Sequence, residues 1–224
     1  MKKDSSYKPL TFLTDELYFP PVEDANAEGL LAVGGDLSAE RLMLAYMSGI
    51  FPWFNEGSLI LWWSPDPRMV LFPERLKISK SMRKVLNNKQ FSLTKNTCFE
   101  EVIDQCAMAK REGQEGTWIT YEMKEAYLKL HKMGYAKSYE VWEDGKLVGG
   151  LYGIDLGHIF CGESMFSLVS NASKFAFIKL VVELQQKKYR LIDCQLYTKH
   201  LESLGAEEIP RAEFMQILKE IENI

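Results

Sequence analysis

Asp144-Gly145 separates two runs of alternating character, KSYEVWE at 137–143 and KLVGGLYGID at 146–155. A two-residue Asp-Gly connection suits positive φ at both positions, the geometry whose twist matches an antiparallel strand pair. No other feature restricts the fold as much. The second half of the chain must be built around an antiparallel hairpin, which excludes a helical bundle and an all-parallel, doubly wound sheet. A third strand, HIFCGESMF, follows Leu156-Gly157, then a helix over about 172–186 and a buried strand, RLIDCQ. A short helix over about 197–204 is closed by Gly205. Pro210 opens a last helix with Phe214, Ile217, Leu218 and Ile221 on its apolar face.

Two helices precede the hairpin. One opens at the capping box Thr97-Cys98-Phe99-Glu100 and runs to about 111; the other spans about 120–132 and stops at Gly134. The order α, α, β, β, β, α, β, α, short β, α predicts an α+β domain with a mixed, mainly antiparallel sheet. This order resembles the GNAT (Gcn5-related) acyltransferase fold. The chain up to Pro73 reads differently. GLLAVGG is a short apolar strand, Ser38 caps a helix that Gly49 ends, and Pro52, Pro65, Pro67 and Pro73 cut GIFPWF and LILWWSPDPRMVLFP into short extended pieces. We therefore expect a small N-terminal α/β domain over 1–73 and a GNAT-like domain over 74–224.

The larger domain opens on a basic amphipathic helix. Residues 74–95 hold seven basic residues and one acidic, a local charge of +6 in a chain of net charge −4. Ile78, Met82, Val85 and Leu86 take the apolar face and leave Lys77, Lys80, Arg83 and Lys84 outside, a surface suited to a polyanion or simply to water. At 46% hydrophobic and 26% charged, the 224-residue chain is an ordinary globular sequence, which excludes bulk disorder. No apolar run approaches the ~20 residues of a membrane helix, and the first residues lack the apolar stretch of a secretory signal. Cys98, Cys106, Cys161 and Cys194 are scattered without a CxxC pair, so reduced thiols, no structural zinc and a cytoplasmic protein are expected.

Candidate chemistry narrows by elimination. His131, His158 and His200 form no metal-binding spacing, and neither GxSxG nor a P-loop occurs. Gly149-Gly150 within a strand marks a bulge or a close backbone approach. Coenzyme A-dependent enzymes of this fold carry a glycine-rich pyrophosphate loop before the helix that follows their fourth strand. The corresponding stretch here, MFSLVSNASK, has no glycine, so the acyl donor is expected to be something else. Asp193 stands inside the apolar run Leu191-Ile192-Asp193-Cys194, with Gln195 two residues on and on the same sheet face. Glu163 stands in another half-buried strand. Carboxylates beside an amide suit the orientation of an amine nucleophile, or equally a structural network. Trp118, just ahead of a Thr120 cap, sits where a loop aromatic lines a pocket.

Taken together, GLLAVGGDLS, AYMSGIFPWF, LWWSPDPRMVL, EGTWIT, LVGGLYG, FCGESMF, NASK, LIDCQ and SLGAEEIPR resemble the bacterial leucyl/phenylalanyl-tRNA–protein transferase family, over about residues 19–214. The resemblance implies transfer of Leu, Phe and less well Met from aminoacyl-tRNA to the N-terminal Lys or Arg of an acceptor protein, which marks it for the bacterial N-end rule pathway. It implies no metal and no cofactor, no membrane partner, and a protein we expect to be a monomer. It assigns activation of the acceptor amine to Asp193 and Gln195, with Glu163 orienting the site or recognising the cationic acceptor. Trp53 and Trp118 match positions near the terminal adenosine, and Tyr46 and Tyr127 further lining positions. Leu151, Phe160, Phe177 and Leu180 would line the amino-acid side-chain pocket, and Lys80, Arg83 and Lys84 would hold tRNA phosphates. Two other readings stay open at this point: a coenzyme A-dependent N-acetyltransferase, and a non-enzymatic RNA-binding module. A related transferase acting on acidic N-termini carries different motifs.

Overall fold

The strands sort into two sheets. A computed structural model describes residues 10–109 and 117–220. The smaller sheet contains β1 (Thr11–Leu13), β2 (Leu30–Gly34), β3 (Phe51–Pro52) and β4 (Leu61–Trp63) in the order β1-β2-β4-β3. Between β2 and β3 runs α1 (Ala39–Met47). Ser38 Oγ accepts from the Arg41 amide at 3.3 Å at its start, and Gly49, at φ +72°, follows its end, as the sequence predicts.

The larger sheet contains β5 (Arg68–Leu71), β6 (Ser92–Lys95), β7 (Ala136–Glu143), β8 (Lys146–Asp155), β9 (Ile159–Ser167), β10 (Leu191–Gln195) and β11 (Glu207–Ile209). Their order is β11-β5-β10-β9-β8-β7-β6. β9 and β10 run parallel and every other pair is antiparallel, the mixed, mainly antiparallel sheet expected. Asp144 (φ +50°) and Gly145 (φ +75°) make the predicted hairpin turn.

The chain enters the large sheet at Arg68, ahead of the boundary expected at Pro73. All four residues of β5 are buried, so no alternation in the sequence reveals which sheet it joins. β6 carries no strand signal in the sequence; its only apolar residue is Leu93, and it lies at the sheet's edge.

Two apolar layers enclose the large sheet. α2 (Lys80–Asn87) and α5 (Ala172–Gln186) pack with Leu151, Phe160 and Ile192. α3 (Phe99–Met108) and α4 (Tyr121–Lys132) pack with Tyr152, Ile154 and Cys161, continuous with Leu42, Ile50 and Trp62 of the N-terminal part. The sequence neighbours Leu151/Tyr152 and Phe160/Cys161 thus serve opposite layers, as period 2 requires. α6 (Lys199–Ser203) and α7 (Arg211–Lys219) close the chain.

The Thr97–Glu100 capping box does not form. α3 starts at Phe99, and the Thr97 amide donates instead to Oε1 of Glu140, a fully buried carboxylate, at 3.3 Å. The helix ends at Met108, and its expected continuation to 111 lies outside the described residues. α6 begins two residues later than expected, where Thr198 Oγ1 caps the Leu201 amide at 3.1 Å.

Glycines decide how closely the layers approach. A Cβ on Gly149 would lie 2.5 Å from Cβ of Ala172 at the start of α5, and one on Gly150 would lie 2.7 Å from the Tyr139 carbonyl oxygen. The glycine pair therefore serves close approach, while the bulge expected there falls beside it: Val141 pairs with Gly149 and Trp142 with Leu147, leaving Val148 extra. A second bulge lies on β9. Tyr152 pairs with Ser164 and Gly153 with Gly162, so Glu163 is the additional residue. Opposite it, a Cβ on Gly153 would sit 2.2 Å from the Cys161 carbonyl oxygen and 2.6 Å from the Phe160 ring. Gly153→Ala is expected to destabilise the protein by about 1–3 kcal/mol, the range for forced overpacking. A urea midpoint equal to wild type would contradict this reading of the strand crossing.

Candidate active site

Glu163 owes its position to that bulge. In a regular strand it would alternate with its neighbours; as the extra residue it reaches a cavity of about 890 Å³ beside Gly162 and Ser164. β10 carries a matching irregularity. Asp193 pairs with Val70 and Gln195 with Met69, leaving Cys194 extra. Gln195 has φ +64°, and the Leu196 amide donates to the Cys194 carbonyl at 2.8 Å, so Gln195 is the centre of a γ-turn, a strained conformation for a residue with a side chain. The two irregularities lie where the β9–β10 pairing ends, at Cys161–Asp193. There Gln195 Nε2 donates to Glu163 Oε1 at 2.8 Å.

The other oxygen of Glu163 faces a tyrosine pair. Tyr127 OH donates to Glu163 Oε2 at 2.8 Å and is itself in a short hydrogen bond with Tyr46 OH. Burial pushes the Glu163 carboxyl up to about 7, opposed by the hydroxyls of Tyr127 and Tyr46 and the amide of Gln195, and reinforced by the Asp193 charge. At neutral pH this half-buried group is therefore divided between acid and base, the condition under which a carboxyl exchanges protons most readily.

Asp193 occupies a different environment. It is 1% exposed, and Arg68 grips it in two-pronged fashion, Nε to Oδ1 at 2.8 Å and Nη2 to Oδ2 at 2.7 Å. The Gln195 amide adds a third bond to Oδ1 at 3.0 Å. Asp193 is not among the residues lining the cavity; it holds the γ-turn that presents Gln195. Arg68 in turn lies between the rings of Phe51 (4.8 Å) and Phe214 (4.7 Å) and donates to the Gly49 carbonyl at 3.2 Å. Sequence reasoning missed Arg68 as a site residue. The available signal was reciprocal: one cation in the apolar run RMVL and one carboxylate in the apolar run LIDC each require a partner.

The remaining expected residues divide. Trp53, Trp118, Leu151, Phe160, Phe177, Leu180, Glu163 and Gln195 all line the cavity. Trp53 is 38% exposed at its mouth, its carbonyl held by Trp63 Nε1 at 2.7 Å, while Trp118 is buried. Tyr46 and Tyr127 are buried behind Glu163 and do not line the cavity. Lys80, Arg83 and Lys84 are on α2, away from it, all three exposed. Arg75 and Lys95 of the same basic segment pair with Glu207 and Glu183, whereas among the described residues Lys77, Lys80, Arg83, Lys84 and Lys89 enter no ion pair.

Other candidates fall to structural roles. Burial pushes the thiols of Cys161 and Cys194 up, away from a reactive thiolate. His131 stacks on Phe99 at 4.2 Å and bonds the Ala136 carbonyl. His200 lines the cavity, its imidazole made less basic by burial and by the nearby Lys174 charge. At the start of α5, where this fold type would seat a pyrophosphate, the Ser173 amide donates to Ser167 Oγ at 3.2 Å. Among the described residues no group of three or more His, Cys, Asp or Glu side chains is placed to hold a metal, and no helix is long and apolar enough to cross a membrane.

Comparison with known proteins places this site in a family. A relative from Flavobacterium johnsoniae, named leucyl/phenylalanyl-tRNA–protein transferase, is 67% identical over 208 residues, covering 93% of this chain and 98% of its own. Relatives of the same name from Christiangramia forsetii and Flavobacterium psychrophilum are 63% and 59% identical, covering 92% and 93% of this chain and 99% of their own. Among solved structures, a GCN5-related N-acetyltransferase from Kribbella flavida aligns at a TM-score of 0.36 with 11% identity, over 74% of this chain and 59% of that one, so the fold description rests on the sheet order itself. The family model for leucyl/phenylalanyl-tRNA protein transferase matches residues 70–219, and the model for that family's N-terminal domain matches residues 35–66. The chain belongs to the leucyl/phenylalanyl-tRNA protein transferase family.

Proposed function

We propose that this protein transfers the aminoacyl group of Leu-tRNA or Phe-tRNA, and less well Met-tRNA, to the α-amine of an acceptor protein beginning with Lys or Arg. The observation that carries this reading is Glu163, poised near neutrality and fixed by Gln195 on the wall of a largely apolar cavity. Leu151, Phe160, Phe177 and Leu180 supply an apolar surface for a Leu or Phe side chain, and Trp53 and Trp118 supply rings for stacking the terminal adenine. An apolar pocket separates such side chains by only about 1–3 kcal/mol per methylene, consistent with a short list of accepted residues.

The chemistry needs positioning and one proton acceptor. The ester of the donor is already activated. The acceptor amine attacks the ester carbonyl, the C–N bond forms as the C–O bond to the ribose breaks, and the amine proton passes to Glu163 and finally to the ribose oxygen. Gln195 orients the carboxylate, and Asp193 with Arg68 holds Gln195. As the one carboxylate among the described cavity-lining residues, Glu163 also suits a cationic acceptor. The cations of α2 suit the tRNA backbone. The protein would work as a monomer in the cytoplasm, on a small N-terminal unit joined to a larger catalytic one, and the new bulky N-terminus would mark its acceptor for degradation.

Transfer of labelled Leu from Leu-tRNA to peptides beginning with Arg, Asp or Ala tests the reading. Transfer is expected to the Arg peptide alone; none to any peptide refutes the proposal. In a binding titration with the same tRNA, changing Lys80, Arg83 and Lys84 together to Gln is expected to weaken affinity. It should also reduce the slope of log affinity against log salt by ~1 for each phosphate no longer neutralised. An unchanged slope would move the tRNA path off α2.

A further inference from the structure

The geometry points to a hydroxyl relay, Tyr46 to Tyr127 to Glu163, that positions the proton in the active site: it sets the readiness of Glu163 to ionise and directs the incoming proton to Oε1, the oxygen beside Gln195. The inference rests on the reading of Glu163 as proton acceptor. The relay crosses the molecule, with Tyr46 on α1, Tyr127 on α4 and Glu163 on β9. Both tyrosines are buried, at 2% and 0% exposure.

The direction of the chain follows from what each group can do. An ionised carboxylate only accepts, so the Tyr127 hydrogen must point at Oε2. The Tyr127 oxygen then accepts from Tyr46, whose hydroxyl also acts as a donor toward Glu163 itself. Both hydroxyl hydrogens thus point toward Glu163, which favours its charged form. A proton placed on Oε2 would reverse the chain. Tyr127 would then donate to Tyr46, and the buried Tyr46 hydrogen would lose the Tyr127 oxygen as its acceptor. A proton on Oε1 leaves the chain intact. Oε1 accepts one bond from Gln195 Nε2 and keeps a second lone pair.

The other groups around Glu163 do not supply this polarity. Asp193 on β10 opposes ionisation, and its charge is tied up by Arg68 of β5. Gln195 donates to the carboxylate from β10. Cys161, on Glu163's own strand, has its thiol pushed up by burial, and Tyr152 of β8 meets Tyr127 edge-on at 5.4 Å. The tyrosine hydroxyls are therefore the donors that counter burial from the side opposite β10.

The test removes one hydroxyl at a time. The Glu163 side-chain carboxyl is followed by carbon NMR in the full-length protein carrying labelled glutamate, with its signal assigned by its loss in Glu163→Gln. The pH profile of Leu transfer is measured in parallel. Tyr127→Phe is expected to move the Glu163 midpoint upward by roughly one pH unit, and Tyr46→Phe by about half a unit. The acid limb of transfer should move upward with each. A Glu163 midpoint unchanged in Tyr46→Phe overturns the relay, even if transfer itself is intact. If the midpoint moves while the rate profile stays, the relay is removed from the transfer reaction. If wild type transfers nothing, the proposed function fails, and the carboxyl titration still decides the relay. Tyr127→Phe gives the second reading should Tyr46→Phe unfold.

Discussion

Arg68→Met is expected to destabilise the protein by about 3–5 kcal/mol, the largest stability loss from a single change at this site. Asp193 is buried, and both prongs of Arg68 bind it. Without the cation, a carboxylate is left in the interior with only the Gln195 amide and the Cys161 thiol to satisfy it. The same change removes the guanidinium from between Phe51 and Phe214 and frees the Gly49 carbonyl, so the small sheet, the α1 turn and α7 are deprived of a common anchor. Two measurements check the argument. Urea unfolding should show a lower midpoint with an unchanged m-value. The double variant Arg68→Met/Asp193→Leu should be more stable than Arg68→Met alone, because a buried pair replaced as a unit leaves no orphaned charge. A double variant no more stable than the single one would mean that the aromatic packing, not the ion pair, carries the energy. Transfer should stay low in the double variant, since nothing then anchors the Gln195 amide at its positive φ.

That ion pair also marks the limit of what the sequence disclosed. The hairpin, α1 with its Ser38 cap, α5 and β10 were legible because each rests on a local rule: turn chemistry, capping, or a period of 2 or 3.6 residues. β5 was legible only as an extended piece between Pro67 and Pro73; four buried residues in a row carry no periodicity to say which sheet they join. It is β5 that brings Arg68 to Asp193 from 125 positions away. Asp193, Gln195 and Glu163 could be singled out as polar residues in apolar strands. Where each stands relative to the cavity could not. The two bulges change which side chains face the cavity, and a bulge leaves little trace in a single sequence beyond a glycine opposite it, here Gly153. Sequence reasoning therefore gave Asp193 the leading part, whereas the register of β9 and β10 brings Glu163 to the cavity and leaves Asp193 behind it. The aromatic pocket was legible residue by residue, because an apolar lining needs only the right side chains on the right strands.

Glu163→Gln is expected to lower the rate of transfer by ~10²–10⁴, the usual contribution of a positioned proton acceptor. It is also expected to make the protein more stable at pH 8. The sign follows from linkage. The folded-state pKa is raised from 4.5 to about 7, so between those values the folded protein binds a proton that the unfolded chain has released. Stability attributable to Glu163 is therefore highest below about pH 4.5, falls as pH rises, and is fully lost above about pH 7. Replacing the group by a neutral isostere removes that decline, a gain on the order of 2–3 kcal/mol at pH 8 and little at pH 4. Thermal unfolding of both proteins at pH 5 and pH 8 gives the comparison: the variant should gain over wild type as pH rises. The rate measurement separates this role from that of Asp193. Asp193→Ala should slow transfer yet keep an acid limb in whatever activity survives, moved downward because the Asp193 charge that helps raise Glu163 is gone while the titrating group remains. Glu163→Gln should abolish that limb. An acid limb that persists in Glu163→Gln would assign the proton to another group, and a variant no more stable at pH 8 would show that burial of the charge costs little. Both results expected together describe a carboxyl held in a position that disfavours its charge, at the expense of stability, so that it can take a proton at the pH where the amine must lose one.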